Sequence, residues 1–192
     1  MKRLLQRLLP ALVLGLAVTT ALGADLYLSD PDHTFAWFEY SHMGLSVDRE
    51  RFDKVSATVS LDLQNQTGSV QASIDVSSLS TGSHLFNQLL LSDAFFDAAR
   101  YPVITFQSTH FTFGRLDNVT AIDGDLTIKG ITRPVTLRVS NYKCMMHPLY
   151  HRPVCGLNAS TRVQRSDFNL GKYVPLITND ITVDVSIEAI QR

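Results

Sequence analysis

From Val55 to Val76 the chain alternates apolar and polar residues, and no other feature limits its fold so tightly. Val55, Ala57, Val59, Leu61 and Leu63 are separated by Ser56, Thr58, Ser60 and Asp62. After Asn65-Gln66-Thr67-Gly68 the pattern resumes, with Val70, Ala72, Ile74 and Val76 set between Ser69, Gln71, Ser73 and Asp75. A helix would scatter such a pattern around its circumference, whereas a strand sends successive side chains to opposite faces, one dry and one wet. The polar, glycine-containing break turns the chain, so the two runs form an antiparallel hairpin. The first run reads back to Arg51. A single strand from Arg51 to Leu63 is expected, long enough to suit a deep barrel.

The same period recurs along the chain. Phe35 to Ser41 places Ala36, Phe38 and Tyr40 on one face and Phe35, Trp37 and Glu39 on the other. Strands are further expected over Val103 to Gly114, Val119 to Lys129, Val135 to Asn141, Leu157 to Gln164 and Ile181 to Ile190. These make about eight, nearly all antiparallel because the connections are short. Gly124 to Leu137 reads as a hairpin with a tight connection in Gly130-Ile131-Thr132-Arg133-Pro134. Alternation fails from Ser77 to Leu91. There Leu85, Phe86, Leu89 and Leu90 follow helical spacing, so His84 to Leu91 is expected as a short helix after a Ser80 to Ser83 loop. Ser166 to Leu170 interrupts the strands again, with Asp167 suited to capping a helical turn.

Three phrases carry a resemblance. Ser92-Asp93-Ala94-Phe95-Phe96-Asp97 runs through Tyr101-Pro102 into Val103-Ile104-Thr105-Phe106; His42-Met43-Gly44-Leu45-Ser46 follows the first long strand; and Ser166-Asp167-Phe168-Asn169-Leu170 precedes the last. Together with the Gly124 to Leu137 hairpin, they resemble the YceI-like family of periplasmic lipocalin-type barrels that bind isoprenoid lipids. The resemblance runs from about Asp32 to Ile190. It departs at Phe86, Asn87 and Leu89, where the family carries an arginine, an aspartate and a histidine, so this part of the rim is expected to be more apolar than usual. Phe95 and Phe96 match the family's aromatic pair, as a lid on the cavity or as core. His42 is either a contact to a ligand head group or a histidine satisfying buried backbone groups.

Met1 to Gly23 differs in kind from the rest. Lys2, Arg3 and Arg7 lead an apolar run from Leu8 to Val18, closed by small residues that would permit cleavage before Ala24 or Asp25. This reads as a secretory signal peptide, with the apolar run short of the ~20 residues a membrane span needs. Residues 24–192 then form one domain. With 45% apolar and 18% charged residues the chain is globular rather than disordered, and its near-neutral balance of 17 basic and 18 acidic residues gives no footing for nucleic acid. Cys144 and Cys155 agree with an oxidising destination and a disulfide. With His147 and His151 between them, a Cys/His metal site is the alternative. The family's frequent cysteine pair in this loop favours the disulfide.

No Gly-x-Ser-x-Gly elbow, His-Glu-x-x-His, Walker loop or dinucleotide-binding Gly-x-Gly-x-x-Gly occurs. The expected fold is therefore an all-β, antiparallel, lipocalin-like barrel of about eight strands with one or two short helical segments. It is not expected to be an enzyme, nor to need a cofactor or metal. The lumen-lining candidates are Phe38, Tyr40, Ala57, Val59, Leu61, Ala72, Ile74, Leu89, Phe95, Phe96, Phe106, Ile122, Leu126, Leu137, Ala159, Val163 and Val185. Small residues such as Ala57, Ala72 and Ala159 leave room that Leu or Phe would fill. The resemblance implies an exported protein, periplasmic or secreted, that sequesters a polyprenyl lipid or quinone. It also implies an alternative role beside a membrane cytochrome of the b561 type in quinone-linked redox or stress response.

Overall fold

The computed structural model describes residues 23–192, so the expected signal peptide lies outside the described residues except for Gly23. The strands are β1 (Asp25–Ser29), β2 (Phe35–His42), β3 (Ser46–Phe52), β4 (Val55–Asp62), β5 (Thr67–Asp75), β6 (Leu79–Ser80), β7 (Val103–Phe113), β8 (Val119–Ile128), β9 (Ile131–Met146), β10 (Pro153–Gln164) and β11 (Asp180–Gln191). The helix α1 spans His84–Leu91, as its spacing predicts. Ser83 caps it, its hydroxyl accepting from the Phe86 amide.

All ladders are antiparallel, and β1, β4, β5, β7, β8, β9, β10 and β11 follow one another until β11 pairs back onto β1. A closed barrel of eight strands results, and closure removes the exposed edges an open sheet would leave. The hairpin of β2 and β3 continues this wall above β1 and β4. One stretch of β11, Thr182 to Ser186, pairs with β2, and the end of the same strand, Ala189 to Gln191, pairs with β1. Between β1 and β2 the chain makes a single 3-10 turn, Pro31–His33. The Asp30 amide and the buried Thr34 hydroxyl both donate to the Glu188 carbonyl, which pins this kink to β11.

The expected strand from Arg51 to Leu63 is broken at Asp53-Lys54. Its partner changes there: β3 pairs with β2 and β6, whereas β4 pairs with β1 and β5. Ser78 bridges the break, its carbonyl accepting from the Asp53 amide and its hydroxyl from the Lys54 amide. β1 was not foreseen, because Asp25 to Ser29 is too short for alternation to stand out. β9 is longer than the expected Val135 to Asn141, since its first half pairs with β8 and its second with β10. The β8–β9 turn is Lys129-Gly130, both with positive φ, as a two-residue hairpin turn requires. Thr132, Arg133 and Pro134, expected in the connection, lie within β9, and Pro134 sits opposite Asp125.

Alternate residues of the strands point inward and form two apolar clusters. One, around Ala36, Phe52, Ile104 and Phe168, meets Phe86, Leu90, Phe95 and Phe96 of α1 and the segment after it. The other, around Tyr27, Leu61, Phe111 and Ile122, fills the end where the β4–β5 and β7–β8 turns lie. Gly124 of β8 is buried, and a Cβ there would stand 2.4 Å from the Phe106 ring. Only a glycine lets that ring lie across the inner wall.

Candidate functional site

Inside the barrel are two apolar chambers. The larger, about 270 Å³, lies under α1 and the aromatic segment that follows it. The second, about 100 Å³, lies deeper, between the inner faces of β4, β5, β7, β8, β9, β10 and β11. For comparison, an apolar cavity of ~150 Å³ stays dry and admits benzene. Of the sequence candidates, Phe38, Tyr40, Leu89, Phe95, Phe96 and Val163 line the larger chamber. Val59, Leu61, Ala72, Phe106, Ile122, Leu137 and Val185 line the deeper one. Ile74 and Leu126 border both.

Ala57 and Ala159 line neither chamber. Both are buried, at 5% and 3% exposure. Ala57 packs instead in the cluster with Tyr27, Leu61 and Phe111, whose larger side chains stand between it and the lumen. Sequence reasoning missed Tyr27, because β1 was missed, and Ile177 and Tyr173, because the loop before β11 carries no periodic signal.

The roof of the larger chamber is aromatic. Phe96 meets Phe38 and Phe52 edge-on, at centroid distances of 5.9 and 5.6 Å, and so belongs to the core while facing the lumen. Phe95 lies 6.2 Å from Tyr173, across from the loop before β11. The departure at Phe86, Asn87 and Leu89 places two apolar side chains on the chamber wall. Asn87 serves structure instead, its Oδ1 accepting from the Thr81 amide at 2.9 Å.

That loop is held from within by Arg165. Its Nε donates to the Thr178 carbonyl at 2.7 Å, Nη1 to the Lys172 carbonyl at 2.8 Å and to the Leu170 carbonyl, and Nη2 to the Ile177 carbonyl at 2.9 Å. The planar fork matches several carbonyls at once, which an ammonium cannot. Burial lowers the pKa of its guanidinium. Asp167, expected to cap the adjacent 3-10 turn Arg165–Phe168, is exposed and makes no capping bond; the turn instead ends at Asn169 in the left-handed conformation.

His42 lines the larger chamber at the end of β2, where its backbone pairs with Ile177. Below it, the Tyr40 hydroxyl donates to Glu50 Oε1 at 3.4 Å. Glu50 is 6% exposed. Burial, reinforced by nearby Asp48, pushes its carboxyl above the ordinary glutamate range, while the Tyr40 hydrogen bond pulls the other way. Burial also raises the Tyr40 phenol. The cysteines lie not in a loop but directly opposite each other on β9 and β10, where they form a disulfide with Cα atoms 4.0 Å apart. Oxidised sulfur excludes the Cys/His metal site. His147 accepts from the Leu149 and Tyr150 amides through Nδ1 and orders the turn beside it.

A closed eight-stranded antiparallel barrel, roofed by one helix and enclosing apolar space, defines a lipocalin-like class. Within it, the model of the YceI-like domain matches residues 27–189, and the chain belongs to that family. A curated relative, UPF0312 protein VPA0850 of Vibrio parahaemolyticus, is 29% identical over 182 residues, covering 91% of this chain and 92% of the relative. The crystal structure of Burkholderia cenocepacia BcnA superposes with a TM-score of 0.72 at 24% identity, covering 83% of this chain and 98% of that one. A polyisoprenoid binding domain from Saccharophagus degradans, implicated in plant cell wall breakdown, superposes with a TM-score of 0.63 at 18% identity, covering 86% and 98%.

Proposed function

We propose that this protein is an exported carrier or store for one long apolar molecule of isoprenoid type, a polyprenyl lipid or a quinone. The observation that carries the reading is the pair of apolar chambers, one behind the other in a single barrel. Such a lumen suits a slender tail. At ~0.8 kcal/mol for each buried methylene, even a partly enclosed tail binds tightly without charge. The polyisoprenoid-binding description of the Saccharophagus degradans domain, on the same fold, supports the ligand class. The polar end of the molecule belongs at the open end of the larger chamber, beside His42, Tyr40 and Glu50. Export is supported by the leader-like Met1 to Gly23 and by the Cys144–Cys155 disulfide.

Mass spectrometry of an organic extract of the protein purified from its native host tests this. An isoprenoid at near one molecule per chain is expected. Extracts with no apolar compound above background, from protein never exposed to detergent, would overturn the reading. A quinone in the extract would favour the redox-linked form of it, in which the partner is a membrane cytochrome of the b561 type; a polyprenyl alcohol or phosphate would favour simple carriage.

A further inference from the structure

The two chambers share four wall residues: Ile74, Ile104, Leu126 and Val183. Ile74 and Ile104 are cross-strand partners on β5 and β7, and Leu126 on β8 is the diagonal neighbour of Ile104. Val183 comes from β11. In the ring of eight strands β7 and β11 are four steps apart in either direction, so Ile104 and Val183 belong to opposite sides of the barrel. Three branched side chains from one wall and one from the opposite wall thus line the boundary between the chambers.

We infer that this boundary is a waist that selects ligands by tail length, an inference that rests on the lipid-binding reading above. A tail that ends at the waist fills only the larger chamber. A longer one must pass between Ile104 and Val183, and its far units are then enclosed by Phe106, Ile122 and Val185 in the deeper chamber. All four waist side chains are aliphatic, so a prenyl tail passes without desolvating a polar group. Each tail unit carried past the waist adds buried apolar area and so adds affinity; units beyond the deeper chamber add none.

The test uses the full mature chain and compares farnesol with the longer geranylgeraniol and solanesol by equilibrium dialysis with mass-spectrometric quantification. In the parent, affinity is expected to rise from farnesol to geranylgeraniol. Val183→Phe narrows the waist and is expected to weaken geranylgeraniol and solanesol about tenfold or more, equivalent to about two methylenes left in water, while farnesol binding stays within about twofold. Val183→Ala widens the waist without overpacking, and is expected to speed loading of the long prenols only, read from the time course of uptake before equilibrium; it keeps the inference testable should the phenylalanine variant unfold. Equal losses for short and long prenols in Val183→Phe, or an equal change in loading rate for short and long prenols in Val183→Ala, would overturn the length gate and leave lipid binding intact. Failure of every prenol to bind the parent chain would overturn both.

Discussion

Glu50 is a buried carboxyl, and among the described residues its side-chain hydrogen bond comes from Tyr40. Because burial raises its pKa, the folded chain holds a proton that the unfolded chain releases, and stability is lost as pH rises from the ordinary glutamate value through the folded one. The expected outcome is that Glu50→Gln matches the parent in urea at acid pH and becomes the more stable of the two toward neutral pH. A constant difference across that range would show that the fold leaves the Glu50 pKa at its unfolded value. Sequence reading marked Glu50 neither as buried nor as part of the site. A glutamate in the polar stretch Asp48-Arg49-Glu50-Arg51 reads as solvated, and only its pairing opposite Phe38 turns it inward. Tyr40 was legible, by contrast, because it shares a face with Ala36 and Phe38.

Among the elements, α1 and the β4–β5 hairpin follow their local patterns, whereas the β3–β4 break follows the change of partner at Asp53-Lys54. The β9–β10 hairpin mixes the two. Its cysteines were expected to close a loop, but the ladder runs past them, so the disulfide staples two strands that are already hydrogen-bonded. The bond spans a sequence separation of 11, which by the chain-entropy estimate contributes about 3 kcal/mol, chiefly through the unfolded state. Replacing both cysteines with serine is expected to lower the urea midpoint accordingly, while the far-ultraviolet circular dichroism keeps its strand signature, since the ladder on either side persists. An unchanged midpoint would mean that the disulfide constrains nothing the ladder does not already hold.

For the molecule as a whole, the central property is closure around unfilled apolar space, and two adjacent alanines separate space from packing. Ala57 and Ala72 are direct cross-strand partners, yet Ala72 borders the deeper chamber while Ala57 is enclosed by its neighbours. Ala57→Trp is expected to overpack and cost about 1–3 kcal/mol in urea unfolding. Ala72→Trp has the chamber to enter; it is expected to destabilise less and to reduce the long-tailed lipid recovered per chain. Ser56→Trp, on the solvent face, should change neither quantity appreciably. If Ala57→Trp and Ala72→Trp prove equally destabilising and alike in lipid content, the deeper chamber is ordinary core.

Strand alternation, the helical spacing of His84 to Leu91 and the turn residues are local properties, set by backbone geometry within a few residues, so most of the ladder and the inward faces were legible in the chain alone. From those faces the general character of the lumen followed. Where strands break, which alanines reach open space, how Arg165 holds the loop before β11 and which residues border both chambers all depend on residues distant in sequence. Val183 gives no local sign of lying across the barrel from Ile104. Closure of the barrel brings them together, because only the full ring of pairings sets β7 opposite β11.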